Sequence, residues 1–304
     1  MNEDSFVILH FAITIIRYFL SRKRMQIEKL LETIYAILPP TTAMKGDNIG
    51  LQLQSGKQDI KKVLLTMEVN DDVACEAIQE KCDCIITFHP LIFHPLKHID
   101  SSDRVGRLVT KLIQNSIVLI ASHTAFDAYS EGTSKILAEK LELEVVDFLV
   151  PDETIENFGM GVIAVSKNGL TEEELLEKVQ RICNSPLRFN HGKDRRRIKK
   201  IAIVGGSGSS FIGDARRAGV DAFITADITY HRFHEVNGEM MLIDPGHYEM
   251  EQFVGHGMLR MFEEKCKGEE LPEFLISKKC TNPIKYYPDT DKYTENQKQY
   301  LLSL

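Results

Sequence analysis

The chain has 304 residues, 43% of them apolar and 27% charged, and a formal net charge of −7. That length can bury a large core and suits about two domains. The acidic balance excludes a general nucleic-acid or acidic-membrane binder, which would carry a basic surface.

In chain order, residues 6–20 are apolar but fall short of the about 20 that a membrane span needs. They also contain His10 and Arg17. Glu3 and Asp4 are acidic and no small-residue cleavage site follows, unlike a secretory signal. Residues 1–24 are therefore expected to be a dispensable extension, or the product of a start codon upstream of Met25. A mitochondrial or other targeting segment, or one that touches a membrane, is the alternative. Ile27, Leu30, Leu31 and Ile34 follow helical spacing, and Pro39-Pro40 stops the helix. Asp47-Asn48-Ile49-Gly50-Leu51 reads as a turn. Strands are expected at 62–67, 84–87 and 117–121, with helices at 71–81, 104–114 and 132–141.

Residues 151–157 are polar and read as a junction, after which the pattern restarts. A strand is expected at 161–165, and Thr171 with Glu174 forms a capping box that opens a helix. The basic run Lys193, Arg195, Arg196, Arg197, Lys199 and Lys200 reads as a solvated loop before a strand. Strands at 201–204, 222–225 and 240–243 follow, with helices at 212–218 and from His247. Alternating strands and helices imply an α/β fold: two similar lobes with mostly parallel sheets. The expected division is 25–150 for the first lobe, 151–280 for the second and 281–304 for a polar tail. The six cysteines lack framework spacing, which suits a reduced, cytoplasmic setting. Cys84 reads as a buried strand residue.

Three histidine fragments each follow an expected strand. His89 follows 84–87, His123 and Asp127 follow 117–121, and His247 and Glu251 follow 240–243. Strand ends converge in one crevice in open α/β sheets, so these side chains can meet there. His247 and Glu251, four apart on a helix, share a face. Imidazole suits zinc, iron or nickel, and carboxylate also suits manganese and can bridge two ions. The bland alternative is a set of ordinary strand-end and helix-cap histidines. His94 and His98 read as surface loop residues, and Glu249 points elsewhere on its helix. Gly205-Gly206-Ser207-Gly208-Ser209-Ser210 lies between a strand and a helix. It suits either a phosphate cradle or a tight turn with no ligand. Asp227 and His231 supply a further acid and imidazole near a strand end.

Asp47-Asn48-Ile49-Gly50-Leu51, His89-Pro90, His123-Thr124 with Asp127, Gly206-Ser207-Gly208, Thr225 with Asp227, and Gly246-His247-Tyr248 with Glu251 occur in this order. Over residues 25–280 the chain thereby resembles the Nif-three-like family, the type-two homologues of GTP cyclohydrolase one. The resemblance implies two α/β lobes with a metal site in the cleft between them, and a toroidal homohexamer. It implies the short form, without an inserted middle domain. Carried over by motif, His89, Asp127, His247 and Glu251 match metal ligands, with Glu251 a bridge, and His123 matches a residue beside the metals. The cofactor is then a divalent ion, one or two per chain, with zinc, iron, manganese and nickel all open. Two departures stand out. Phe88 occupies a position where bacterial members carry His, which bears on the second ion, and Gly46 stands where a Trp is frequent.

Two functions follow as expectations. One is a metal-dependent hydrolase of a nucleotide or small phosphorylated molecule, with His123 or His231 as general acid or base. The other is a non-catalytic metal-handling or protein-interaction adaptor linked to transcription regulation. A third, structural reading has no metal at all.

Overall fold

A computed structural model describes residues 24–192 and 197–286. The chain opens with β1 (Met25–Gln26) and α1 (Ile27–Ile37), whose Ile27, Leu30 and Ile34 are buried. Next come β2 (Gly50–Leu53), β3 (Asp59–Ile60) and β4 (Lys62–Thr66). Helix α2 (Asp71–Gln79) is capped by Asn70, whose side chain accepts from the Val73 N–H at 2.9 Å. Strand β5 (Cys84–Thr87), α3 (Arg104–Gln114) and β6 (Val118–Ala121) follow. Every residue of β5 and β6 is buried, as in parallel strands covered on both faces. Two short helices complete this half, α4 (His123–Ala128) and α5 (Thr133–Lys140).

The second half begins with β7 (Glu144–Pro151) and the long β8 (Gly159–Leu170). The capping box of Thr171 and Glu174 opens α6 (Glu172–Cys183) as expected. Then come β9 (Arg188–Phe189), β10 (Ile198–Ile203), α7 (Ile212–Arg217), β11 (Ala222–Ile224) and α8 (Tyr230–Glu235). Strand β12 (Met241–Asp244), α9 (His247–Glu251), α10 (Val254–Lys265) and β13 (Glu273–Ile276) end the described chain.

The architecture is mixed α/β with several sheets. One runs β13-β4-β5-β6-β2, parallel except for the β2–β6 pair. The other runs β7-β8-β10-β11-β12-β9 and is not mostly parallel. Only β10–β11 and β11–β12 pair parallel, whereas β7–β8, β8–β10 and β12–β9 are antiparallel. Strand β7 escaped sequence reading because it is an edge strand with only Leu149 fully buried, so alternation is weak. Strand β13 lies beside β4 in the first sheet, although the sequence places 273–276 with the second half. Helix α10 follows it: Val254, Met258 and Phe262 share a core with Val63, Ile86 and Phe88.

All six cysteines are free, and Cys84 is buried in β5. Of the basic run, residues 193–196 lie outside the described residues, while Arg197 donates to the Gly169 carbonyl and Lys200 to that of Ala218. The targeting alternative falls on residues 1–24, of which 1–23 also lie outside them. No helix among the described residues is long and apolar enough to cross a membrane.

Candidate metal centre

Three expected ligands meet. His89 lies two residues beyond β5, and α9 presents His247 and Glu251 on one face. Glu251 Oε2 is 3.1 Å from His247 Nε2 and 3.3 Å from His89 Nε2. The two Nε2 atoms are 3.4 Å apart. This is the one group of three or more His, Cys, Asp or Glu side chains among the described residues placed to hold an ion. The Glu251 side chain is 2% exposed, yet its Oε2 has no partner of hydrogen-bond geometry. Buried polar atoms are seldom left so. Three ligand atoms with edges of this length surround a common point at about the 2.0–2.2 Å of N and O ligands to zinc-like ions. The residues therefore fit a divalent metal.

The histidines are oriented from behind. His89 Nδ1 is 3.2 Å from Glu68 Oε2, and His247 Nδ1 is 2.7 Å from Asp227 Oδ2. A carboxylate at Nδ1 keeps the proton there and leaves the Nε2 lone pair free for an ion. Without an ion, the surrounding carboxylates favour a second proton on both rings. Burial pulls His89 and His247 down, but Glu251 with Glu68, and Asp227 with Glu251, push them up to about 9 and about 10. Burial alone would raise Glu251, but His247 and His89 hold it well below the ordinary carboxylate range. The hydrogen bond with His247 likewise lowers Asp227. Asp227 sits at φ +55° and His123 at φ +28°, strained values for residues with a side chain.

Asp127, on α4, is beside the three and outside their tight group. Its Oδ1 is buried and unpartnered, and burial together with the charge of Glu251 pushes its carboxyl up to about 7. A buried carboxylate raised by its neighbour's charge fits a site that a cation neutralises. The His123 ring lies 5.4 Å from that of His89, with Nδ1 2.8 Å from Asp47 Oδ1. Asp47 also accepts from the Thr124 N–H. Burial raises Asp47, and the bonds from His123 and Thr124 more than reverse that. His231 is exposed on α8, where its ring contacts Tyr230, and it lies outside the tight group of three. His94 and His98 are exposed, and buried Glu249 turns to Asn282 at 2.7 Å. Phe88 is fully buried against Phe126, His89 and His123.

The glycine turn has a local explanation. A Cβ on Gly206, at φ +60°, would stand 2.5 Å from Glu251 Oε1, and one on Gly205 would stand 2.6 Å from Thr133 Cγ2. The Gly205 N–H donates to Ser134 Oγ and that of Gly208 to Thr225 Oγ1. Close backbone approach to the ligands thus accounts for these glycines. Sequence reading missed Glu68 and Asp47 as partners of His89 and His123. Asp47 lay inside a noted motif, but Glu68 carries no signal of its own.

The model of the family described as Duf34/NIF3 (NGG1p interacting factor 3) matches residues 25–283. The chain belongs to this family. Two curated Duf34/NIF3 relatives are each called GTP cyclohydrolase 1 type 2 homolog. The one from Streptococcus pneumoniae is 31% identical, covering 84% of this chain and 97% of the relative. The one from Clostridium perfringens is 29% identical, covering 86% and 100%. Among solved structures, a hypothetical protein of Staphylococcus aureus superposes with a TM-score of 0.77 at 26% identity, over 86% of this chain and 99% of that one. A Bacillus cereus protein related to NIF3 gives 0.76 at 23% identity, over 85% and 98%, a likeness of fold.

Proposed function

We propose that this Duf34/NIF3 member is a metal-dependent hydrolase of a nucleotide or other small phosphorylated substrate. The observation that carries this is the convergence of His89, His247 and Glu251, each histidine backed by a carboxylate. A divalent ion held there supplies Lewis-acid charge and lowers the cost of ionising water. Asp127 would serve as a fourth ligand, and Glu251 as a bridge if a second ion binds. His123, fixed by Asp47, moves the proton at its Nε2. His231 is the alternative proton donor, acting only on a substrate that extends to α8. The names of the relatives suggest GTP.

The same reading takes two lobes with the centre in the cleft between them, in a cytoplasmic homohexamer: residues 25–150 joined by α10 and β13, which pack with the first sheet, and the rest of 151–280. Residues 1–24 are an extension and 281–304 a tail. One observation favours a second reading, a metal-holding interaction adaptor: the family description itself names a protein interaction.

The test is to purify the full chain, count ions per chain, and screen nucleotides and sugar phosphates by mass spectrometry with and without chelator. Chelator-sensitive turnover of one compound supports the hydrolase. Bound metal with no such turnover leaves the adaptor, and no metal at all sinks both.

A further inference from the structure

The Asp47-to-Gln52 segment does more than hold His123. Asn48 Nδ2 and Gln52 Nε2 both donate to the Ile92 carbonyl, at 2.5 and 3.0 Å, and the Ile92 N–H donates to Gln52 Oε1 at 3.0 Å. Both backbone polar groups of Ile92 are thus clamped, and Leu91 before it is buried. Phe93, the next residue, is 50% exposed. Its ring stands edge-on to His94 at 4.8 Å and to His123 at 6.4 Å. Since His123 is 5.4 Å from His89, an open aromatic ring sits one imidazole away from the candidate metal ligands. Met44, also exposed, is tied to the same place by its N–H bond to Thr124 Oγ1. Leaving a phenyl half in water forfeits burial that a core position would reward, and the clamp fixes the backbone of the residue just before it.

We propose that Phe93 is a stacking subsite of the metal centre, taking the planar heteroaromatic ring of a substrate whose phosphate end faces His89, His247 and Glu251. This rests on the hydrolase reading above and narrows its substrate class to compounds with a flat ring near the reacting group. Face-to-face stacking on an aromatic side chain is worth about tenfold or more in affinity per base and tolerates any base.

The test uses AMP and ribose 5-phosphate, which share a sugar phosphate and differ by the ring. Each is titrated calorimetrically into the full chain as purified, with metal counted in the same samples. AMP should bind about tenfold or more tightly than ribose 5-phosphate. Phe93→Tyr should keep that ratio and Phe93→Ala should lose it, at unchanged metal per chain. Equal affinity for the two probes, binding by neither, or an unchanged ratio in Phe93→Ala overturns the proposal. Failure of the hydrolase reading shows elsewhere, as absent metal or turnover insensitive to chelator, whatever stands at position 93.

Discussion

His89 and His247 both turn Nε2 onto Glu251 and Nδ1 onto a carboxylate, but their surroundings differ. The His89 side chain is 17% exposed and its partner Glu68 29%. For His247 and Asp227 the values are 31% and 51%. His89 stands at the end of a fully buried strand, whereas His247 starts a five-residue helix after Gly246 at φ +93°. One side of the centre is set by the sheet and the other by a short helix entered through a glycine turn. Hydrogen bonds in the drier half are less screened, so the halves should respond unequally to matched substitutions.

The largest effect is expected where the halves meet. Glu251→Gln removes the charge both histidines face, and metal per chain should fall to background. The loss of affinity should exceed about 100-fold, the upper range for changes one layer out from the ligands. Metal counting and a chelator competition titration check this, and retained metal would break the view that both sides depend on Glu251. Asp127→Asn comes next and probes the first-sheet side. The Asp127 carboxyl is raised from 3.8 to about 7 in the folded chain. Its stability penalty is therefore absent below the lower value and complete above the higher one. Metal-free Asp127→Asn should melt above the parent at pH 8, converge with it toward pH 4, and bind metal more weakly. Melts of chelated protein across that range test it.

Glu68→Gln and Asp227→Asn form the matched pair. Each should weaken metal binding by about 10–100-fold, with Glu68 at the larger end because it is less exposed. Equal losses in a side-by-side titration would remove the asymmetry. The smallest effect is on the pH profile. His89 and His247 are raised from 6.5 to about 9 and about 10, so their ion pairs stabilise the metal-free chain fully below pH 6.5. That contribution is lost as pH rises through both values, lowering the melting temperature by on the order of a few degrees. Metal affinity should climb over the same interval as the rings give up protons. An affinity that is flat with pH would mean the rings are neutral before metal arrives.

The ligand positions were legible because each follows a buried strand whose apolar run is plain, and because i and i+4 on a helix fixes a shared face. His89, His247 and Glu251 needed only that. Glu68 did not show, since it lies between β4 and α2 where no periodicity marks a residue's direction. The mixed second sheet was hidden by β7, an edge strand with little buried pattern, and by β9, two exposed residues long. Residues 273–276 read as a strand only once β4 is there to receive them, because nothing local says which sheet they join. The glycines at 205 and 206 were visible, but their reason was not: it is the carboxylate and threonine standing where a Cβ would go.

One close approach, between imidazoles 158 positions apart, gives the centre a place in time. A ribosome adding about 5–20 residues per second reaches His247 roughly 8–30 s after His89. During that wait the first sheet lacks β13, and its core lacks Val254, Met258 and Phe262. A nascent chain stopped before residue 247 carries His89 and Asp127 with no centre to join. An ion held by this set would therefore report a chain made and folded at least as far as Glu251.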